Sequence, residues 1–461
     1  MARTVLSIEP DGRDGFQVRL ERAPLKFPGA RVPGPLDCSP DTFPDWTTPN
    51  GVAAYGQCLA DRLSGHDAVR QALQALALAP PGQRAPLYVR VLAPEADALR
   101  WEALRSGQGD FFALRSSSPV GRIVYVDSGE DRRPDPFEPP LRVMALLSAL
   151  GVPAGKEWAS LRRAVQDAHQ AGLPVEVEVR VGEPGLLLEI NAAAVPGVRA
   201  ALLPSRSNEL EQDIEAFRPH LLHAFCHGSV GYGAGWLELA TSVDWELTDG
   251  GMPPERGSLV VDVDQLTRLA AVRTAWLVTL NCCEGGRSTA ELHAMAARLV
   301  EAGTAAAIGM QEPVHAGDAH EFCRAFYPAL FDLLADRLAP GAAGATEIEW
   351  ADALYAPRRA LLDRNGHDPT SDRTWTLPVL YVRPERFHVL RQAAPQPGAP
   401  EPSPEEIDAM RERAHIVAGL LRVLPEGTPE AARDDLLALL ADLPPTLRPR
   451  RDGSFESGPP P

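Results

Sequence analysis

The sequence predicts an α/β fold: a mostly parallel sheet with helices on both faces. Three observations carry that expectation. From residue 141 onward, apolar runs of strand length alternate with stretches of helical spacing, the pattern of repeated strand–helix units. Two of those runs, Pro219–Cys226 and Thr274–Asn281, deliver His227 and Cys282-Cys283 close to glycine, as strands do at the carboxyl edge of an open sheet where sites form. The 461 residues are 44% hydrophobic and 23% charged, which supplies a large core in a globular chain.

In chain order, Thr4–Ile8 and Phe16–Leu20 read as a β pair around the turn Asp11-Gly12. Residues 25–50 are proline-rich and irregular. Ala53–Ser64 and Asp67–Leu78 have helical spacing. Leu87–Leu92, Phe111–Leu114 and Gly121–Val126 read as short strands, and residues 131–140 as a charged, proline-rich linker. Past it, Leu141–Leu147 is a strand and Glu157–Gln170 a helix. Val175–Val181 alternates Val with Glu and Arg, so it is a strand with one wet face. Asn208–Phe217 is a helix with Ser207 or Asn208 as its cap. After His227-Gly228 come a glycine-rich loop (229–235), a hairpin strand (Trp236–Ala240) and an acidic loop (Asp244–Gly250). Leu259–Leu269 holds a strand and a helix start. Ala290–Ala302 is a helix, with Gly303 where a left-handed residue closes one. Thr304–Met310 and Trp375–Val382 are strands; His320–Arg337 and Glu347–Asn365 are helices. Residues 186–207, rich in Ala and Pro, show no clear pairing.

The net charge of −17 argues against a nucleic-acid-binding role, which needs a basic face to neutralise phosphates. It is compatible with a basic peptide or protein substrate. No 18-residue apolar run marks a transmembrane helix. Met1-Ala2-Arg3-Thr4-Val5 leads into no apolar signal core. The six cysteines (Cys38, Cys58, Cys226, Cys282, Cys283, Cys323) are too sparse for a disulfide scaffold. These features point to a reduced, cytoplasmic protein with no cofactor and no membrane partner.

A thiol becomes a strong nucleophile once an imidazole takes its proton. Cys283 is the candidate nucleophile and His227 the candidate base. The backbone N–H groups of Gly228 and Cys283 are the candidate oxyanion donors. If the strand persists, Cys282 and Cys283 point to opposite faces, so one of them is packed. A zinc reading of His223, Cys226, His227, Cys282 and Cys283 is weaker, because the histidines share a face that Cys226 does not, and no Cys-x-x-Cys occurs. His223, mid-run and without a glycine, reads as a core histidine.

The segments His223-Ala224-Phe225-Cys226-His227-Gly228 and Leu280-Asn281-Cys282-Cys283-Glu284-Gly285-Gly286 resemble the CHAT domain of the caspase–separase clan of cysteine peptidases. Leu99-Arg100-Trp101-Glu102-Ala103-Leu104 resembles the Trp-Glu element upstream in that family. Leu299–Met310 with Gln311-Glu312-Pro313-Val314 resembles the helix, strand and turn after the nucleophile. The similarity spans about residues 80–390. It implies a caspase-like three-layer sandwich and a regulated cysteine endopeptidase, of the kind found in bacterial defence systems. It also aligns Cys283 with the nucleophile and His227 with the catalytic histidine. Acidic residues near the dyad (Asp244, Asp249 and Glu284) suggest a pocket for a basic P1 residue. The alternative function is a catalytically silent CHAT adaptor that recruits a partner protein.

The expected organisation is an N-terminal region (1–135) joining a catalytic core (136–390), a linker (391–404), a helical appendage (405–445) and a disordered tail (446–461). Helices are expected at Glu405–Leu424 and Pro429–Leu443, both after Pro-containing start signals. They would recruit an activator or substrate.

Overall fold

The computed structural model describes residues 2–12, 15–80, 83–126, 133–231, 234–252, 254, 256–283, 293–339, 344–391 and 404–424, with isolated positions between 433 and 443. The chain divides into two compact units, residues 1–392 and 393–461.

The strands of the first unit begin with β1 (Thr4–Pro10), β2 (Phe16–Arg22), β3 (Gly34–Leu36), β4 (Leu87–Val91), β5 (Val120–Ile123) and β6 (Asp135–Phe137). Then come β7 (Leu141–Leu147), β8 (Val175–Val181), β9 (Val198–Leu202), β10 (Leu221–Gly231), β11 (Ala234–Leu239) and β12 (Leu259–Asp262). The last are β13 (Leu277–Cys283), β14 (Ala306–Met310), β15 (Ala345–Glu347), β16 (Pro378–Val382) and β17 (His388–Arg391). The main sheet runs β3-β2-β1-β4-β5-β16-β14-β13-β10-β7-β8-β9, with β11 and β12 extending from β10. Its centre consists of two parallel blocks, to which β2, β3, β11 and β12 add antiparallel strands. The first is β1, β4, β5 and β16. The second is β14, β13, β10, β7, β8 and β9. One antiparallel pair, β14 with β16, joins them. The first 125 residues therefore share one sheet with the strands that carry His227 and Cys283.

The helices are α1 (Gly51–Leu63), α2 (Asp67–Leu78), α3 (Pro94–Asp97), α4 (Gly155–Gln170), α5 (Pro184–Ala193), α6 (Ser207–Phe217) and α7 (Ser242–Asp249). They continue with α8 (Val263–Leu266), α9 (Ala270–Arg273), α10 (His293–Ala302), α11 (Ala316–Arg337), α12 (Tyr355–Arg364) and α13 (Pro404–Val423). Both faces of the sheet are covered, as strand–helix alternation requires. On one face α4 and α11 pack on Leu221, Phe225 and Leu277. On the other, α6, α9 and α10 pack on Leu222, Ala224, Val278 and Leu280. Strand alternation sends odd and even residues to opposite cores. In β8 the four valines are buried while Glu176, Glu178 and Arg180 are half-buried, as the alternating pattern predicts. α10 closes on Gly303 at a φ of +138°, a conformation that favours glycine.

Buried charges tie the junction of the two blocks. Arg122 of β5 donates to Glu102 at 2.7 Å, with both side chains at 0% exposure, and to Asp97 at 2.9 Å. Tyr381 of β16 donates to the second Asp97 oxygen at 2.8 Å. The Trp101-Glu102 element thus anchors the junction, with Trp101 fully buried.

Several expectations are corrected. Phe111–Leu114 is no strand: Phe112–Leu114 forms a 3-10 turn with Phe112 and Ala113 buried, and Phe111 before it packs on Trp375. The histidine strand does not stop at Gly228, because antiparallel β11 pairs with it as far as Gly231. Residues 244–250 are not a loop, because Thr241 and Asp244 form a capping box that starts α7. α6 begins at Ser207 after Arg206, with no side-chain cap. The expected helix Glu347–Asn365 is instead the end of β15, a 3-10 segment and α12. Residues 186–207 supply α5 and the edge strand β9. In the second unit α13 packs Ala414, Val417 and Leu421 on Leu440 and Leu443. The expected helix at 429–443 and the tail at 446–461 lie mostly outside the described residues.

Candidate active site

β10 and β13 run parallel in unbroken register from Leu221↔Leu277 to His227↔Cys283. Paired residues of neighbouring parallel strands share a face and stand about 4.8 Å apart. The backbones of His227 and Cys283 therefore lie side by side, and strand alternation puts the His227 side chain on the face covered by α4 and α11. The side chain of Cys283 and residues 284–292 fall outside the described residues, as do Glu284 and Arg287. Cys226 and Cys282 are the neighbouring pair on the opposite face. They are 0% and 1% exposed, packed in an apolar core with Leu280 and Met295. Cys282 is thus a small packed side chain behind the strand end.

His227 is nearly buried, and its Nε2 lies 2.8 Å from the carbonyl oxygen of Leu150, just after β7. A carbonyl only accepts, so Nε2 donates and the neutral ring carries its lone pair on Nδ1. Gly228 sits one residue beyond the β13 pairing and is held opposite Leu237 of β11. Asp244 serves the fold: its Oδ2 accepts from Thr241 N, Thr241 Oγ1, Ser258 N and Ser258 Oγ at 2.7–3.0 Å. Those bonds outweigh burial and lower its pKa. As a capping carboxylate with four donors, it is a poor candidate for a substrate pocket. Asp249 is exposed at the end of α7.

Below the strand ends lies a buried polar cluster that the sequence reading did not assemble. Glu157 of α4, fully buried, accepts at Oε1 from His223 Nε2 at 3.0 Å and Asn281 Nδ2 at 3.0 Å. Cys323 Sγ donates to the same oxygen at 2.7 Å, and His320 Nδ1 to Oε2 at 3.3 Å. Burial alone would raise the Glu157 carboxyl, but the bonds from His223, His320 and Cys323 hold it down at about 2. His223 is thus a buried core histidine, bound through Nε2 to Glu157 while its Nδ1 has no hydrogen-bond partner among the described residues. One signal was present: Glu157 falls on the apolar stripe of its helix, with Trp158, Leu161, Ala164, Val165 and Ala168. Among the described residues, Glu157, His223 and Cys323 are the group with metal-ligand proximity. A tetrahedral zinc would hold oxygen and sulfur about 3.5 Å apart. The observed 2.7 Å is that of donors converging on one carboxylate oxygen.

A large, mostly parallel sheet covered by helices on both faces defines the class as a three-layer α/β protein. The chain belongs to the CHAT domain family, whose family model matches residues 55–345, more than half of its length. Among curated proteins, none matches the chain. Similar solved structures include the Saccharomyces cerevisiae separase–securin complex, at 11% identity and a TM-score of 0.29, over 66% of this chain and 16% of that one. Another is the Arg-specific cysteine proteinase gingipain R, at 11% identity and a TM-score of 0.39, over 70% of this chain and 68% of that one. This chain thus spans about a sixth of the separase chain.

Proposed function

We infer that the chain is a cysteine endopeptidase acting through Cys283 and His227. The observation that carries this reading is the β10–β13 register, which pairs His227 with Cys283 in a CHAT-family chain. With Nε2 committed to Leu150, Nδ1 of His227 takes the thiol proton. The thiolate attacks the scissile carbonyl carbon, and the amides of Gly228 and Cys283 receive the oxyanion. Collapse breaks the C–N bond, and the imidazolium returns its proton to the leaving amine. Water, deprotonated by the same imidazole, then attacks the thioester, releases the acid and regenerates the thiol.

A basic P1 residue suits a chain of net charge −17, with Asp249 and Glu284 remaining as candidate pocket acids. The natural setting is a regulated protease of a bacterial defence system, working in the cytoplasm. Among the described residues no helix is long and apolar enough to cross a membrane. The C-terminal unit would recruit an activator. In support, Ile416, Leu420 and Val423 of α13 recur at helical spacing and are 45–76% exposed.

The test is labelling by a thiol-reactive peptide electrophile with Arg or Lys at P1. The parent labels and Cys283→Ala does not. Equal labelling and cleavage by Cys283→Ala removes the assignment, whereas a folded parent that neither labels nor cleaves favours the silent-adaptor reading.

A further inference from the structure

The Glu157 carboxylate meets three elements that must agree for the two strand ends to work. His223 belongs to the histidine strand and Asn281 to the cysteine strand, while Cys323 and His320 belong to α11. Asn281 also donates to the carbonyl oxygen of Ala319 at 3.1 Å, a second tie to α11. All of these contacts lie on the face that carries His227 and Cys283. Asn281 is two residues before Cys283, about 7 Å down the strand, and His223 is four before His227, about 13 Å down. Phe225, between the two histidines on that face, lies 5.3 Å from the His320 ring. His320 thus links the carboxylate to the residue beneath His227. The backbone ladder fixes which residues pair. It does not fix how α4 and α11 seat against the strand ends, and that seating is what the shared carboxylate determines.

We propose that Glu157 is a positioning residue for the dyad, its carboxylate binding the histidine strand, the cysteine strand and α11 into one rigid floor beneath His227 and Cys283. This rests on the peptidase reading. The bonds from His223, His320 and Cys323 hold this carboxyl below its ordinary value.

The experiment uses the full chain and measures iodoacetamide alkylation of Cys283 against pH, by mass spectrometry, together with kcat and KM on an Arg peptide. Near-UV circular dichroism checks folding. In the parent, the alkylation midpoint lies below the roughly 8.5 of a free thiol. In Glu157→Gln the midpoint rises toward that value. Its kcat falls at least about tenfold with KM little changed, since a 1 Å misplacement is worth up to about 100-fold. Asn281→Ala, which cuts the ties of the cysteine strand to Glu157 and to α11, shifts the midpoint in the same direction and serves if Glu157→Gln does not fold. Cys323→Ala cuts one α11 leg while keeping both strand contacts to Glu157, and its midpoint shifts in the same direction by less than that of Glu157→Gln. A depressed parent midpoint that Glu157→Gln and Asn281→Ala leave in place overturns the positioning role alone. A parent midpoint at the free-thiol value overturns the dyad as well.

Discussion

Replacing Glu157 by Gln is expected to cost stability in a pH-dependent way. The folded carboxyl lies at about 2, against an ordinary value of 4.5. At about 1.4 kcal/mol per tenfold change in proton affinity, the ionised network contributes about 3 kcal/mol at neutral pH. Folding depresses this pKa, so the contribution is complete above pH 4.5 and is lost as pH falls toward 2. Urea unfolding of parent and Glu157→Gln, followed by tryptophan fluorescence, gives the difference at pH 7 and pH 3. That difference should shrink by about 2 kcal/mol between the two conditions. Burial lowers His220 to about 3 and His293 to about 4, and both take up protons on acid unfolding. They are present in both proteins and drop out of the difference. A gap between parent and variant that is the same at both pH values refutes the charged network and leaves only lost packing.

Three further outcomes follow from the same structure. Glu102→Ala removes one of the two carboxylates paired with the fully buried Arg122, leaving Asp97, and is expected to cost about 1–3 kcal/mol in denaturant unfolding. Asp244→Ala removes a helix cap and should cost about 1 kcal/mol while leaving the Arg-over-neutral preference of cleavage unchanged; a lost preference would return Asp244 to the substrate pocket. His227→Ala should lower kcat on an Arg peptide by about 100-fold or more, with the melting temperature near that of the parent.

The strands of the site were legible because their side chains are nearly all apolar and their ends are chemically marked. Leu221–Cys226 and Leu277–Cys283 stand out as runs, and alternation alone sends Cys282 and Cys283 to different faces. The family resemblance then chose between them. Other features depended on tertiary partners that no local pattern announces. β10 continues past Gly228 only because β11 folds back on it. β9 forms because β8 offers it a ladder, although its own residues are half-buried or exposed. Asp244 looked like pocket charge in an acidic loop, yet Thr241 three residues earlier was already the start of a capping box. Glu157 is the largest omission. A carboxylate on an apolar helix stripe was visible, but its partners come from positions 223, 281, 320 and 323, and only the fold brings them together.

The most direct measurement compares Cys282→Ala with Cys283→Ala in cleavage of an Arg-containing peptide, each variant checked for folding. The two residues are adjacent and chemically identical, but the register pairs only Cys283 with His227 while Cys282 is 1% exposed on the other face. Cys282→Ala is expected to cleave within a few-fold of the parent, and Cys283→Ala not to cleave. Retained cleavage by Cys283→Ala, or loss confined to a folded Cys282→Ala, would contradict the Cys283 assignment.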